Sequence, residues 1–160
     1  MVKYAYYEIR YGILQIGYDD DDDVLTNIKV VKKYDGNNLR NELTDKTFNE
    51  INEYILGKRK SFDIPFKLNG SEFQMKVWNQ LLNIPYGETT TYKEIAKSIG
   101  NEKAFRAVGM ANNKNPLLII VPCHRVIGSS GDLVGYAGGM EMKMDLLNIE
   151  KVNSQIITDL

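Results

Sequence analysis

Ile120-Val121-Pro122-Cys123-His124-Arg125-Val126 contains the only cysteine of a 160-residue chain, and the residue after it is the only histidine. A thiol attacks as its thiolate. An adjacent imidazole can take the proton and bring a resting pKa of about 8.5 toward neutrality. A lone cysteine also suits burial as a small apolar residue. The flanks favour chemistry here. The apolar run from Leu117 to Val121 predicts a buried strand, ending in a turn of polar side chains before Gly128-Ser129-Ser130-Gly131. Strand ends of this kind display reactive groups.

Upstream of that run, Thr89 to Thr91 open a predicted helix with Ile95, Ala96 and Ile99 inward, closed by Gly100. A second helix is predicted from about Glu102 to Asn112. Two short helices joined by a glycine-containing turn form the helix-turn-helix pattern. Ala104, Ala107, Gly109 and Ala111 keep the second helix small, although a helical glycine costs about 1 kcal/mol relative to alanine. Two readings stand for that surface: close packing in a core, or close approach to a nucleic-acid groove.

Further upstream, Ser71 is a predicted N-cap for a helix whose stripe is Phe73, Val77, Leu81 and Leu82, ending before Pro85. Trp78 on that helix reads as core. Asn69-Gly70-Ser71 reads as a connection, giving an N-terminal domain over 1–68 and a C-terminal domain over 69–160. Residues 1–33 alternate apolar and polar and predict two or three strands. The five aspartates from Asp19 to Asp23 lack metal-ligand spacing and read as a solvated turn. Thr44 is a predicted N-cap for a helix through Phe48, Ile51 and Ile55 that stops at Gly57.

With 43% apolar and 26% charged residues, the composition is that of a globular protein. The first residues carry no secretory signal, and no apolar stretch approaches the ~20 residues needed to cross a bilayer. One cysteine excludes an intramolecular disulfide and a cysteine-rich zinc site. The expectation is a cytoplasmic protein (nuclear in a eukaryote), reduced, with no metal and no cofactor. Net charge is −1, so total charge gives no support for nucleic-acid binding. Residues 70–150 balance eight basic against eight acidic side chains. Lys93, Lys97, Lys103, Arg106 and Lys114 nevertheless fall close together, and phosphate contacts depend on local clustering.

Pro122-Cys123-His124-Arg125-Val126 resembles the active-site signature of the O6-alkylguanine-DNA alkyltransferases. Phe73-Gln74-x-x-Val77-Trp78, Ile84-Pro85-Tyr86-Gly87-Glu88-Thr89-Thr90-x-Tyr92, Arg106-Ala107-Val108-Gly109, Asn115-Pro116 and Gly135-Tyr136-Ala137-Gly138-Gly139 resemble that family too. They stand in its order across roughly residues 70–150, which is far more specific than one short pattern. The resemblance implies an α+β protein: a small ribonuclease-H-like α/β domain, then a winged-helix or helix-turn-helix-like domain that binds DNA and transfers the alkyl group. It implies direct, irreversible transfer from O6-alkylguanine in double-stranded DNA to the protein's own cysteine, one turnover per monomer, with base flipping.

The residue roles that follow are those the resemblance implies. Cys123 is the nucleophile, His124 the base acting through water, and Glu150 the acceptor orienting the imidazole. Tyr92 stabilises the departing base and crowds the 3′ phosphate. Asn115 braces the active-site turn. Arg106 fills the vacancy left by the flipped base, while Ala107, Gly109, Ala111 and Arg125 belong to the DNA-binding set. Val126, Tyr136, Ala137, Gly138 and Met110 line the substrate pocket, with backbone groups of Cys123 and Val126 reading the exocyclic amine and Gly138 leaving room for a bulky alkyl group. Many relatives carry serine where this chain has Ala137, and the cluster with which some bind zinc is absent. The alternative is a non-enzymatic alkyl-lesion sensor, in which the cysteine is replaced. A cysteine hydrolase would turn over many times.

Overall fold

The structure is a computed structural model that describes residues 1–131 and 135–159. It separates into two units. The first comprises Met1–Asn69 and Pro116–Leu118. The second comprises Gly70–Asn115 and the chain from Ile119 onward.

In the first unit, β1 (Val2–Ile9), β2 (Gly12–Asp19) and β3 (Val24–Val31) form an antiparallel meander in sequence order. Adjacent side chains point to opposite faces of a strand. Both faces are covered here. Tyr7 stacks on Phe48 of α1 (Glu42–Ile55) with ring centroids 4.5 Å apart, while the Tyr6 hydroxyl donates to the Asp35 carbonyl at 2.6 Å. Ala5, Tyr6 and Tyr7 are therefore all buried, and strict alternation breaks down in mid-strand. Asn41, not Thr44, caps α1. The Asn41 side chain accepts from the Thr44 N–H at 2.8 Å, and the Thr44 hydroxyl accepts from the Asn41 N–H at 2.9 Å. Thr44 is thus the third residue of a reciprocal capping box. Asp19 to Asp23 form a turn, and the Lys3 ammonium lies 2.8 Å from Asp20.

The stretch from Leu117 to Val121 is not a strand. Leu117 makes one parallel bridge with Ile28, and Ile119 then takes φ +74°. A β-branched residue seldom enters that left-handed region, so the chain turns at a strained point rather than extending. The apolar composition reflects burial alone: Leu117 to Val121 are all buried.

The second unit is mainly helical. Ser71 and Gln74 form a capping box at the start of α2 (Glu72–Leu81). β4 (Thr90–Thr91) leads directly into α3 (Tyr92–Ser98), capped by Thr91. A 3-10 turn over Glu102–Ala104 then precedes α4 (Phe105–Asn113), so the α-helix proper starts later than its composition predicts. Trp78 is buried and its indole N–H donates to the Ala111 carbonyl at 2.9 Å, tying α2 to α4. Ile95 and Ala96 are buried while Ile99 is only half-buried. β5 (Val126–Ile127) pairs in parallel with β4, and α5 (Met140–Asp159) ends the described chain. The protein is α+β. No helix among the described residues is long and apolar enough to cross a membrane.

Candidate active site and nucleic-acid interface

Cys123, His124 and Arg125 form a single 3-10 turn between Pro122 and β5, and all three are buried. His124 Nε2 lies 2.7 Å from Glu150 Oε2 on α5. Glu150 is held from three other directions. The Gly87 N–H donates to Oε1 at 3.0 Å, Arg125 Nε to Oε1 at 2.8 Å and Arg125 Nη2 to Oε2 at 3.1 Å. Gly87 has φ +85°, and a side chain there would collide with Ser154 of α5, so glycine is required for the backbone to reach the carboxylate.

Burial pushes the Glu150 carboxyl up to about 7, against the pull of the Gly87 N–H. The two guanidinium bonds act in the same direction as Gly87, because hydrogen bonds to the charged form favour it. Burial also drives the His124 imidazole well below its ordinary range, helped by the charges of Arg125 and Lys143. The Cys123 thiol is pushed up to about 11 by burial, while an Asn115 side-chain hydrogen bond and the Lys143 charge pull it down. Asn115 also donates from Nδ2 to the Val121 carbonyl at 2.7 Å, bracing the chain just ahead of the turn that carries the thiol. Half-buried Tyr92 is raised by burial and by the charge of Cys123, which places its hydroxyl in the electrostatic reach of the sulfur.

Arg125, expected among the DNA-binding residues, is turned into the protein. It is buried, and besides Glu150 it donates from Nη1 to the Ile84 carbonyl at 2.6 Å. Each of its three guanidinium nitrogens already donates one hydrogen bond inside the protein. Ala111 is likewise buried, and its carbonyl receives the Trp78 indole, so its small size serves the α2–α4 contact. Met110 is 69% exposed on α4 and lines a shallow apolar groove with Phe73, Ala107 and Lys114, not a pocket around the thiol. Gly138 leaves no spare room. A Cβ there would lie 2.6 Å from Met142 Sδ and 2.7 Å from Tyr136 Cε2. Tyr136 is buried edge-on to the His124 ring, with centroids 6.3 Å apart, and Ala137 is exposed. The Val126 carbonyl accepts from Lys143 Nζ at 2.7 Å and its N–H donates to the Cys123 carbonyl, so both groups are already engaged.

Arg106 and Ala107 are exposed and Gly109 is half-buried, all on α4. A Cβ on Gly109 would make only ordinary contact with Tyr92, at 3.8 Å, so internal packing does not require glycine there.

Lys143 is a site residue that the sequence does not announce. It is fully buried, and burial lowers its pKa while Cys123 raises it. The signal that could have found it is helical spacing: Lys143 shares the buried face of α5 with Leu146 and Glu150.

Fold and site together define a helix-turn-helix protein that carries one buried cysteine beside a histidine–carboxylate pair. The chain belongs to the 6-O-methylguanine DNA methyltransferase family. Residues 2–68 match that family's ribonuclease-like domain and residues 72–152 its DNA-binding domain. A methylated-DNA–protein-cysteine methyltransferase of Mycolicibacterium paratuberculosis is 43% identical over 159 residues, covering 96% of this chain and 95% of that protein. The Methanosarcina acetivorans protein of the same name is 59% identical over 101 residues, 63% of this chain, and the chain spans 65% of that relative's length. Among solved structures, an O6-methylguanine methyltransferase of Mycobacterium tuberculosis is 41% identical, with a TM-score of 0.85 and coverage of 96% and 94% of the two chains. The Mycobacterium tuberculosis protein in complex with DNA matches with a TM-score of 0.83 at 41% identity, covering 94% of this chain and 93% of that one.

Proposed function

We propose that the protein repairs alkylated DNA by moving the alkyl group from O6 of guanine to Cys123 Sγ, once per molecule. The observation that carries this reading is the buried thiol in one turn with His124, whose imidazole lies 2.7 Å from Glu150. The sulfur attacks the alkyl carbon in line, the S–C bond forms and the C–O6 bond breaks with its electron pair left on guanine. The thiol proton passes to His124 through water, and a proton returned to the base, with Tyr92 at hand, lets ordinary guanine depart. A thioether is stable, which makes the reaction a single event.

Burial holds the resting thiol protonated, so the thiolate is made at transfer, supported by the Asn115 hydrogen bond and the Lys143 charge. O6 cannot meet a buried thiol from within a duplex, so the nucleotide must be extruded. Exposed Arg106 fills the gap from α4, and Ala107 and Gly109 let that helix approach the minor groove. Lys93, Lys97 and Lys103 around Phe105 supply phosphate contacts beside it. The partner is double-stranded DNA carrying O6-alkylguanine and the protein acts as a monomer. The N-terminal domain ends near residue 68, the second domain binds and reacts, and the compartment is the cytoplasm.

The test is incubation with O6-methylguanine duplex DNA followed by intact mass and peptide mapping. One added methyl group on Cys123, never more than one per chain, is expected. Multiple turnover or a methyl group elsewhere overturns the reading. Cys123→Ser should abolish transfer and keep DNA binding, since a neutral hydroxyl is a poor nucleophile without strong activation.

A further inference from the structure

We propose that Arg125 is a positioning residue that sets the tautomer of His124. By holding Glu150 as a carboxylate it keeps the imidazole proton on Nε2, so that the Nδ1 lone pair is the base. The inference rests on the alkyl-transfer reading for its purpose, though not for its test.

The hydrogen-bond count around Glu150 carries it. Oε1 accepts from the Gly87 N–H and from Arg125 Nε, both obligatory donors, which uses its two lone pairs. Oε2 accepts from Arg125 Nη2 and faces His124 Nε2 at 2.7 Å. One proton therefore lies on that short contact, either on the nitrogen or on the oxygen. With the proton on nitrogen, Glu150 is an anion and Nδ1 carries a lone pair. With the proton on oxygen, Glu150 is a neutral acid donating to Nε2, and the neutral imidazole then carries the pair's second proton, taken up from solvent, at Nδ1, where it can take nothing from a thiol. Burial favours the neutral acid. The two-pronged guanidinium favours the anion, and it is pinned by its third nitrogen on the Ile84 carbonyl at 2.6 Å.

The other charged or titratable groups around the pair leave this role to Arg125. Tyr86 presents its ring 5.6 Å from the guanidinium carbon, and its hydroxyl accepts from Asn153 Nδ2 at 3.1 Å. Lys143 is turned onto the Val126 carbonyl, and Tyr136 meets the imidazole edge-on. Cys123 is the group to be deprotonated. Arg125 is a cation that bonds both carboxylate oxygens directly.

The lone histidine makes the test direct. In protein labelled with 15N-histidine, a long-range 1H–15N correlation shows one imidazole and reads which nitrogen is protonated, with no DNA present. The wild type should show Nε2–H at pH 7, and a wild type protonated at Nδ1 overturns the proposal. Arg125→Met should switch to Nδ1–H at pH 7. Its transfer rate should fall about 100-fold at that pH, because burial then holds Glu150 as the neutral acid, and return toward wild type as pH rises. Retention of Nε2–H in that variant overturns the proposal. Arg125→Lys keeps the charge without the fork and should keep Nε2–H with transfer within about tenfold of wild type. A switched tautomer there also overturns it, and this second variant decides the matter if Arg125→Met does not fold. Wild-type protein with Nε2–H that takes no methyl group from DNA would sink the alkyl-transfer reading and leave the tautomer assignment standing.

Discussion

Trp78 and Ala111 are joined by a 2.9 Å hydrogen bond from the indole nitrogen to the helical carbonyl, 33 residues away. The same carbonyl also accepts from the Lys114 N–H at 3.1 Å. The bond anchors α4 at its C-terminal end, leaving Arg106 and Ala107 outward at the other. Trp78→Phe keeps most of the ring volume and removes the donor. It should cost about 1–2 kcal/mol in denaturant unfolding, the value of a buried hydrogen bond with little cavity. Methyl transfer at saturating DNA should stay within twofold of wild type. A loss of transfer at unchanged stability would contradict a purely structural role for Trp78.

Arg106 is exposed at the start of α4, with its guanidinium carbon 6.0 Å from the Phe105 ring centroid. Arg106→Ala should slow repair in duplex DNA at least tenfold and leave reaction with free O6-benzylguanine nearly unchanged, because only a duplex has a vacancy to fill. Comparing the two rate constants checks it. Equal slowing would assign the arginine to folding or chemistry.

Gly138 offers a sharper steric case than its sequence position indicates. Since even a methyl group would press on Met142 Sδ and the Tyr136 ring, Gly138→Ala should destabilise by about 1–3 kcal/mol as an overpacked site. It should slow transfer of methyl and benzyl groups alike by displacing Tyr136 from the His124 ring. Met142→Ala in the same chain should restore part of the stability, measured as the unfolding midpoint. Selective loss of benzyl transfer alone would mean that the Gly138 side opens onto the alkyl group.

The thiol gives a pH dependence of defined sign. Its pKa is raised by burial from 9.0 to about 11, so between those values the folded protein holds a proton that the unfolded chain has released. Stability contributed by the neutral thiol is complete below pH 9 and is lost as pH rises toward 11. The loss is on the order of 2–3 kcal/mol. Cys123→Ala and the alkylated protein should lack this fall, and subtracting their unfolding free energies from wild type at each pH removes the contribution of Lys143. A flat difference from pH 8.5 to 11 would show that the thiol titrates normally.

The Cys123–His124 turn was legible because two unique residues stood together, and Glu150 because the ordered motifs carried its place. Arg125 misled: a charged residue at the end of a motif reads as exposed, and only the fold shows Glu150 and the Ile84 carbonyl closing around it. Lys143 was hidden for the same reason, since a lysine enters a buried helix face too rarely to be expected there. The helix pair was visible in its apolar spacing. The pairing of β4 with β5 was not, because two-residue strands have no periodicity. Nor does any residue pattern announce Ile119 at φ +74°, where a run of β-branched and leucine side chains otherwise dictates extension.

The membership of Pro116–Leu118 in the first unit has a topological consequence. The chain leaves the second unit after Asn115, contributes Leu117 to the bridge with Ile28, and re-enters at Ile119. The two units are interleaved along the sequence, so hydrolysis of the Asn69–Gly70 bond would cut only one of the chain's passages between them. The severed N-terminal piece would still hold the Pro116–Leu118 stretch of its other half through the Ile28–Pro116 and Leu118–Ile28 hydrogen bonds, at 2.7 and 3.2 Å. A protein started at Gly70 would instead carry Leu117 and Leu118, almost wholly shielded in the intact chain, with no sheet to receive them. Nicking and truncation at the same bond are therefore different perturbations, and the second leaves an uncovered apolar edge just ahead of the segment that ends in Cys123.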